Sequence, residues 1–147
     1  MRYLLLSILL LAIPSASFAG EKSQADQAGA VALTFINSYV RATAKSGAIS
    51  GFKWLEKNPM VTEHFKKSLA KLYADSLKKD PEVGYDADAV IGGQDCPESF
   101  TVKSCKVTGD QALVVLIGPR EFPMKVNVAL VKTADQWMVN ASGDLVH

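Results

Sequence analysis

The sequence predicts an α+β domain in which N-terminal helices, two long and one short, pack on a four-stranded antiparallel β-meander. Apolar residues recur every three or four positions between Gln24 and Lys79, then alternate or run continuously from Phe100 to Ala141. Turn residues divide that second half at hairpin spacing. Helices first and a meander last put the helices on one face of the sheet, and strand alternation leaves the other face more open.

Residues 1–19 read as a removable secretory signal. Arg2 precedes an eleven-residue apolar run, Tyr3 to Ile13, and the small residues Ser17 and Ala19 lead into a cut near Ala19. The run falls short of the ~18 residues needed to span a bilayer, so no stable membrane anchor is expected after cleavage. The segment Ser15-Ala16-Ser17-Phe18-Ala19-Gly20 holds no cysteine to lipidate, and a Leu-rich core behind one arginine suits a bacterial export signal. A soluble periplasmic product is the expectation.

What remains, residues 20–147, has the size of a single domain with one core. The chain carries 16 basic and 15 acidic residues, and loss of Arg2 makes the two equal. A neutral balance argues against broad nucleic-acid binding, which needs clustered Lys and Arg.

Along the chain, Ala28, Val31, Ala32, Phe35, Tyr39 and Thr43 mark one face of a helix from about Gln24 to Lys45. Ser46-Gly47-Ala48 breaks it, and Ser50 is placed to cap a short helix through Trp54 and Leu55. Asn58-Pro59 ends that turn, because a residue before proline is biased away from helical geometry. Thr62 is a good N-cap for a second long helix, with Glu63 where the dipole favours negative charge. Phe65, Leu69, Leu72, Tyr73 and Leu77 form its apolar stripe, Lys66, Lys67, Lys71, Lys78 and Lys79 point elsewhere, and Asp80-Pro81 closes it.

From Asp80 to Glu98 the charge inverts: Asp80, Glu82, Asp86, Asp88, Asp95 and Glu98 stand without a lysine or arginine. A solvated loop folding back onto the lysines of the preceding helix is the plain expectation, and a metal or partner site is the functional one. Phe100 and Val102 then open a strand, Thr108-Gly109-Asp110 turns, and Ala112 to Ile117 is a buried strand. Gly118-Pro119-Arg120 turns again. Met124, Val126, Val128 and Leu130 alternate with Lys125, Asn127 and Ala129 in the third strand, and Trp137, Val139 and Ala141 mark the fourth.

Cys96 and Cys105 are the two cysteines. In an oxidising compartment one even pair reads as one structural disulfide, adding roughly 2 to 3 kcal/mol in the chain-entropy picture. Their separation is not the two-residue spacing of a reactive dithiol. Two cysteines with the distant His64 and His147 do not make a zinc site.

The order of long helix, short helix, long helix opening on Val61-Thr62-Glu63-His64-Phe65, Asp-rich link and four-stranded meander resembles small exported bacterial domains of unknown function with a nuclear-transport-factor-like or cystatin-like cone fold. Tyr85-Asp86-Ala87-Asp88 through Gly93-Gln94-Asp95 looks like the acidic linker of that family, and the resemblance spans about Gln27 to Leu145. It implies a cone-shaped cavity between sheet and helix, used across the superfamily for ligands, enzymes and subunit contacts alike. Such a fold does not choose a function.

Asp86, Asp88 and Asp95 form the cluster best able to meet a hard cation. Val90 stands where a calcium loop wants its third early ligand, and no glycine takes the sixth position, so no metal is assigned. His64 could carry a proton, as histidine side chains do in acid–base work, but it lacks an identifiable partner. His147 reads as a mobile terminus. Trp54, Tyr73, Tyr85, Phe122 and Trp137 suit the core or a cavity mouth.

No nucleophile elbow, phosphate loop or dinucleotide fingerprint occurs, and no catalytic residue or cofactor is assigned. The expectation is a non-catalytic periplasmic binding or protein-interaction module for an unknown envelope protein or small ligand. The candidate site residues are His64, Tyr85, Asp86, Asp88, Asp95 and Trp137. An inhibitor or immunity protein against an envelope toxin or hydrolase, and a cofactor-free enzyme using an apolar cone cavity, are the alternatives.

Overall fold

The computed structural model describes residues 22–44 and 47–147, with the backbone alone for 47–50. The export signal read over residues 1–19 and the helix end read at Lys45 lie outside the described residues. Three helices, α1 (Gln24–Thr43), α2 (Gly47–Lys57) and α3 (Glu63–Lys79), precede four strands, β1 (Thr101–Thr108), β2 (Gln111–Ile117), β3 (Lys125–Thr133) and β4 (Gln136–Ser142), and a 3-10 turn at Gly143–Leu145. The strands form one antiparallel sheet in the order β1-β2-β3-β4. The class is α+β, with the meander the sequence predicts.

Local chemistry accounts for the boundaries. Ser23 caps α1, its Oγ accepting from the Asp26 amide at 3.1 Å. Thr62 caps α3 in the same way, accepting from the Phe65 amide at 3.2 Å. The Thr62 hydroxyl also donates to Asn140 Oδ1 at 2.8 Å, fixing the cap to β4. Asp80 ends α3 ahead of Pro81 as expected, its Oδ1 accepting from the Glu82 and Val83 amides. Ser50 is not a cap. The backbone is helical from Gly47, so Ser50 lies in the first turn of α2.

One core lies between the helices and one face of the sheet. Phe35, Ile36 and Tyr39 of α1, Leu55 of α2, and Phe65 and Leu69 of α3 meet Val114, Leu116, Val126, Val128 and Leu130, all nearly or fully buried. Edge-on and tilted rings join the helices: Phe35 lies 5.9 Å from Trp54 and 6.1 Å from Phe65, centroid to centroid. The stripe of α3 is shorter than its periodicity implies, since Leu72 and Tyr73 are half-buried and Leu77 is 54% exposed.

The two sheet edges differ. Beside β4, the Thr62 amide donates to the Val139 carbonyl at 3.0 Å and the Val139 amide to the Met60 carbonyl at 2.8 Å, so the chain entering α3 covers that edge. At the other side, β1 is tied to α1 just ahead of its first residue. The Phe100 amide donates to Asn37 Oδ1 at 2.8 Å and Asn37 Nδ2 donates to the Phe100 carbonyl at 3.2 Å.

Cys96 and Cys105 are free thiols, which corrects the expected disulfide. The segment from Cys96 to Cys105 runs back along α1. Cys96 lies beside Thr43 and Ala44, whereas the Cys105 thiol meets the Gly29 backbone. At the ~1.5 Å rise of a helix, those two ends of α1 are about 21 Å apart, against the roughly 7 Å limit between bridged Cα atoms. Eight intervening residues suggested a small loop; an extended strand keeps its ends apart.

Candidate functional site

The Asp-rich segment is not the solvated connector its charge suggests. Ala89, Val90 and Ile91 are buried in the core. The loop also closes on itself: the Asp88 amide donates to the Gly93 carbonyl at 2.9 Å and the Gly92 amide to the Asp88 carbonyl at 2.8 Å. β4 and the turn after it hold the loop from the other side. Ser142 Oγ donates to the Val90 carbonyl at 2.6 Å, and the Asp144 amide donates to the Ala89 carbonyl at 3.0 Å. Among the described residues the ion pairs lie within α3 and the β3–β4 turn, and none joins Asp86, Asp88 or Asp95 to an α3 lysine.

A cleft of about 410 Å³ opens where this loop meets the C-terminal end of α1. Tyr85, Asp86, Asp88, Ile91, Gln94 and Cys96 line it, with Thr43 and Ala44 on the helix side. Gln94 Nε2 donates to the Asp86 carbonyl at 3.0 Å and to Asp86 Oδ2 at 3.2 Å, which sets one wall.

Asp88 is the half-buried centre of the site. The Tyr39 hydroxyl donates to its Oδ2 at 2.7 Å and the Val90 amide to its Oδ1 at 2.9 Å. Burial pushes the Asp88 carboxyl above the ordinary carboxylate range; the Tyr39 hydroxyl and the Val90 and Ile91 amides pull the other way. Behind it, Gly51 lets α2 approach, since a Cβ there would stand 2.6 Å from the Tyr39 hydroxyl. At the rim, the Tyr85 hydroxyl donates to Asp144 Oδ2 at 2.5 Å. Tyr85 stands edge-on to Tyr73 with centroids 5.7 Å apart.

The hydroxyls and the thiol of the site are held protonated. Tyr39 is raised by burial and then by the charge of Asp88, Tyr73 by the same two causes in the same order, and Tyr85 to about 12 by burial and its bond to Asp144. Burial followed by the charges of Asp88 and Asp95 pushes the Cys96 thiol up. A nucleophilic cysteine needs the opposite surroundings. These groups therefore offer hydrogen bonds rather than charge.

Of the candidates read from the sequence, the structure gathers Tyr85, Asp86 and Asp88 in the cleft. Asp95 is exposed close enough to act on the Cys96 thiol. His64 is exposed in the first turn of α3, outside the cleft. Trp137 is 6% exposed in the core and is a packing residue, although its Nε1 finds no acceptor among the described residues. No group of three or more His, Cys, Asp or Glu able to hold a metal ion occurs among the described residues. No helix among them is long and apolar enough to cross a membrane.

Tyr39, Gly51 and Asp144 were not legible as site residues. Tyr39 falls in phase with the core face of α1, where only its hydroxyl betrays a second role. Gly51 and Asp144 gain theirs from chain approaches that no local pattern encodes. Comparison of the chain with protein families, with curated proteins and with solved structures gives no match.

Proposed function

We propose that the protein is an exported periplasmic binding module that holds a cationic group of its partner, an amine or guanidinium, in the cleft between the Asp-rich loop and the end of α1, and catalyses no reaction. One observation carries this reading. Asp86 and Asp88 share the cleft with the Tyr85 ring and the Gln94 amide, and no Lys or Arg stands among the described residues that line it. A carboxylate beside an aromatic ring suits a cation through charge and through the ring face. Against a catalytic use, both Asp88 oxygens already accept hydrogen bonds and the Cys96 thiol is pushed away from the thiolate. The kinship with exported cone-fold domains belongs to the same proposal, supported by the order of helices, acidic loop and meander.

Titration of isotope-labelled protein with three peptides of equal length, one lysine-rich, one neutral and one acidic, tests the reading by NMR. The lysine-rich peptide should shift the amides of residues 85–96 and of Thr43 and Ala44. Asp86→Asn, at an exposed position, should weaken that binding about tenfold, equivalent to ~1.4 kcal/mol. Equal binding of all three peptides, or shifts confined to another surface, would overturn it.

A further inference from the structure

A groove with an apolar floor crosses the sheet face turned away from the helices. In β2, Ala112, Val114 and Leu116 are buried against the helices, and Leu113 alternates with them to the outside, 40% exposed. In β3, Ala129 and Val131 take the outer positions between the buried Val128 and Leu130. Register sets Leu113 opposite Ala129, so a bare methyl stands beside a projecting side chain and leaves a hollow. The chain itself raises one wall. The Val146 amide donates to the Gly143 carbonyl at 3.2 Å, closing the 3-10 turn, and Val146 and His147 then line the hollow. The enclosed space is about 360 Å³, at the lower end of the roughly 300–1,000 Å³ of small-molecule sites.

The polarity of the groove is one-sided. Lys106 pairs with Leu113 and Thr108 with Gln111, so an ammonium, a hydroxyl and a carboxamide lie together at its β1 side. Lys106 is the one Lys, Arg, Asp or Glu among the described lining residues, and it makes no ion pair among them. The floor then runs apolar through Leu113, Ala129 and Val131 toward β4. There a bulge leaves Asn140 between the pairs Ala129–Ala141 and Leu130–Val139, with its Oδ1 already accepting from the Thr62 hydroxyl.

We propose that the groove binds a single-chain alkyl carboxylate, with the carboxylate on Lys106 and Thr108 and the chain laid over Leu113, Ala129 and Val131 beneath Val146. Charge complementarity selects the head, since a cation without a partner sits at one end and no acid lines the rest. The floor selects the tail. β2 and β3 are central strands whose backbone groups are spent on their neighbours, so a peptide laid across them finds no backbone partner, whereas an alkyl chain asks for none. Three strand spacings of about 4.8 Å separate β1 from β4, about 14 Å in all, which suits one chain of medium length. The groove shares no lining residue with the acidic cleft, so neither reading depends on the other.

Titration of methyl-labelled protein with hexanoate, octanoate and decanoate, each below its micelle threshold, tests the proposal by NMR. Decanoate should shift the methyl signals of Leu113, Ala129, Val131 and Val146, and each added methylene should tighten binding about two- to fourfold. Decylamine should leave those signals in place. Lys106→Ala, at an exposed position, should weaken decanoate about tenfold, and Ala129→Phe, which fills the hollow, should abolish binding; circular dichroism checks that both variants keep the wild-type fold. Equal responses to decanoate, decanol and decylamine would overturn the proposal, as would folded variants that bind like the wild type. So would methyl shifts that appear with anionic phospholipid vesicles and not with decanoate, or a dimer in sedimentation equilibrium that takes up no decanoate, because a membrane or a second copy would then be the occupant.

Discussion

The Tyr39 hydroxyl donates to Asp88 across 2.7 Å and so ties the inner face of α1 to a loop 49 residues further along the chain. That contact fixes Asp88, while Gln94 holds Asp86 beside it. It turns a charged segment into a wall of fixed shape, with the carboxylate half out of water and its oxygens occupied. Gly51 protects the contact by leaving room for the phenol.

The tie has a pH signature. Burial raises the Asp88 carboxyl in the folded state above its unfolded value of about 3.9. In the window between those two values the native state binds more protons than the unfolded state, so stability falls as pH rises. The contribution is fully present below about pH 4 and lost as pH passes the folded value. Asp88→Asn keeps an acceptor for the Val90 amide and removes the titration. The difference in unfolding free energy between wild type and Asp88→Asn, followed by urea denaturation from pH 3 to 8, should drift against the wild type across that window. Tyr39→Phe should cost ~1–3 kcal/mol and raise the Asp88 carboxyl further, because it removes the hydrogen bond that favours the carboxylate. A difference that stays flat with pH would show that Asp88 is not the group responsible.

Gly143 marks a second close approach at the site. Its φ is 58°, and a Cβ there would stand 2.3 Å from the Ala89 carbonyl oxygen and 2.7 Å from that of Val90. Gly143→Ala should therefore cost ~2 kcal/mol or more, since both the backbone angle and the space forbid a side chain. Gly109, also at positive φ, has nothing within 4 Å; Gly109→Ala should cost only the backbone strain of about 1 kcal/mol. Thermal denaturation of the pair separates steric from conformational cost.

The cysteines give a direct check on the chain path. Thiol counting on unfolded, unreduced protein should find two, and Cys96→Ser with Cys105→Ser should leave the melting temperature nearly unchanged under oxidising and reducing conditions alike. A reduction-sensitive melting temperature that is lost in the double serine variant would mean that β1 does not run as described.

Much of the fold was legible because its signals are local. Thr62 marks a helix start through its own side-chain oxygen, Asp80-Pro81 ends α3, and the alternation around Val126 and Val128 assigns β3 to a half-buried strand. The site was legible only in outline. Tyr85, Asp86 and Asp88 stood out as an acidic stretch, yet the lysine contacts expected for it do not form among the described residues. His64 and Trp137 were drawn in by residue type, and tertiary packing sends one to solvent and the other to the core.

The sequence by itself determined the element order, the hairpin meander and which strand positions are apolar, because period, caps and turn residues act within a few residues of one another. Only the tertiary structure decided that Cys96 lies by the C-terminal end of α1 and Cys105 by Gly29 in its first half, that Tyr39 and Asp144 belong with Asp88 and Tyr85, and that Leu113 stands beside Ala129 on the sheet face turned away from the helices. Those relationships arise from chain reversals, where burial and close backbone approach join residues far apart in sequence, and no local pattern records them.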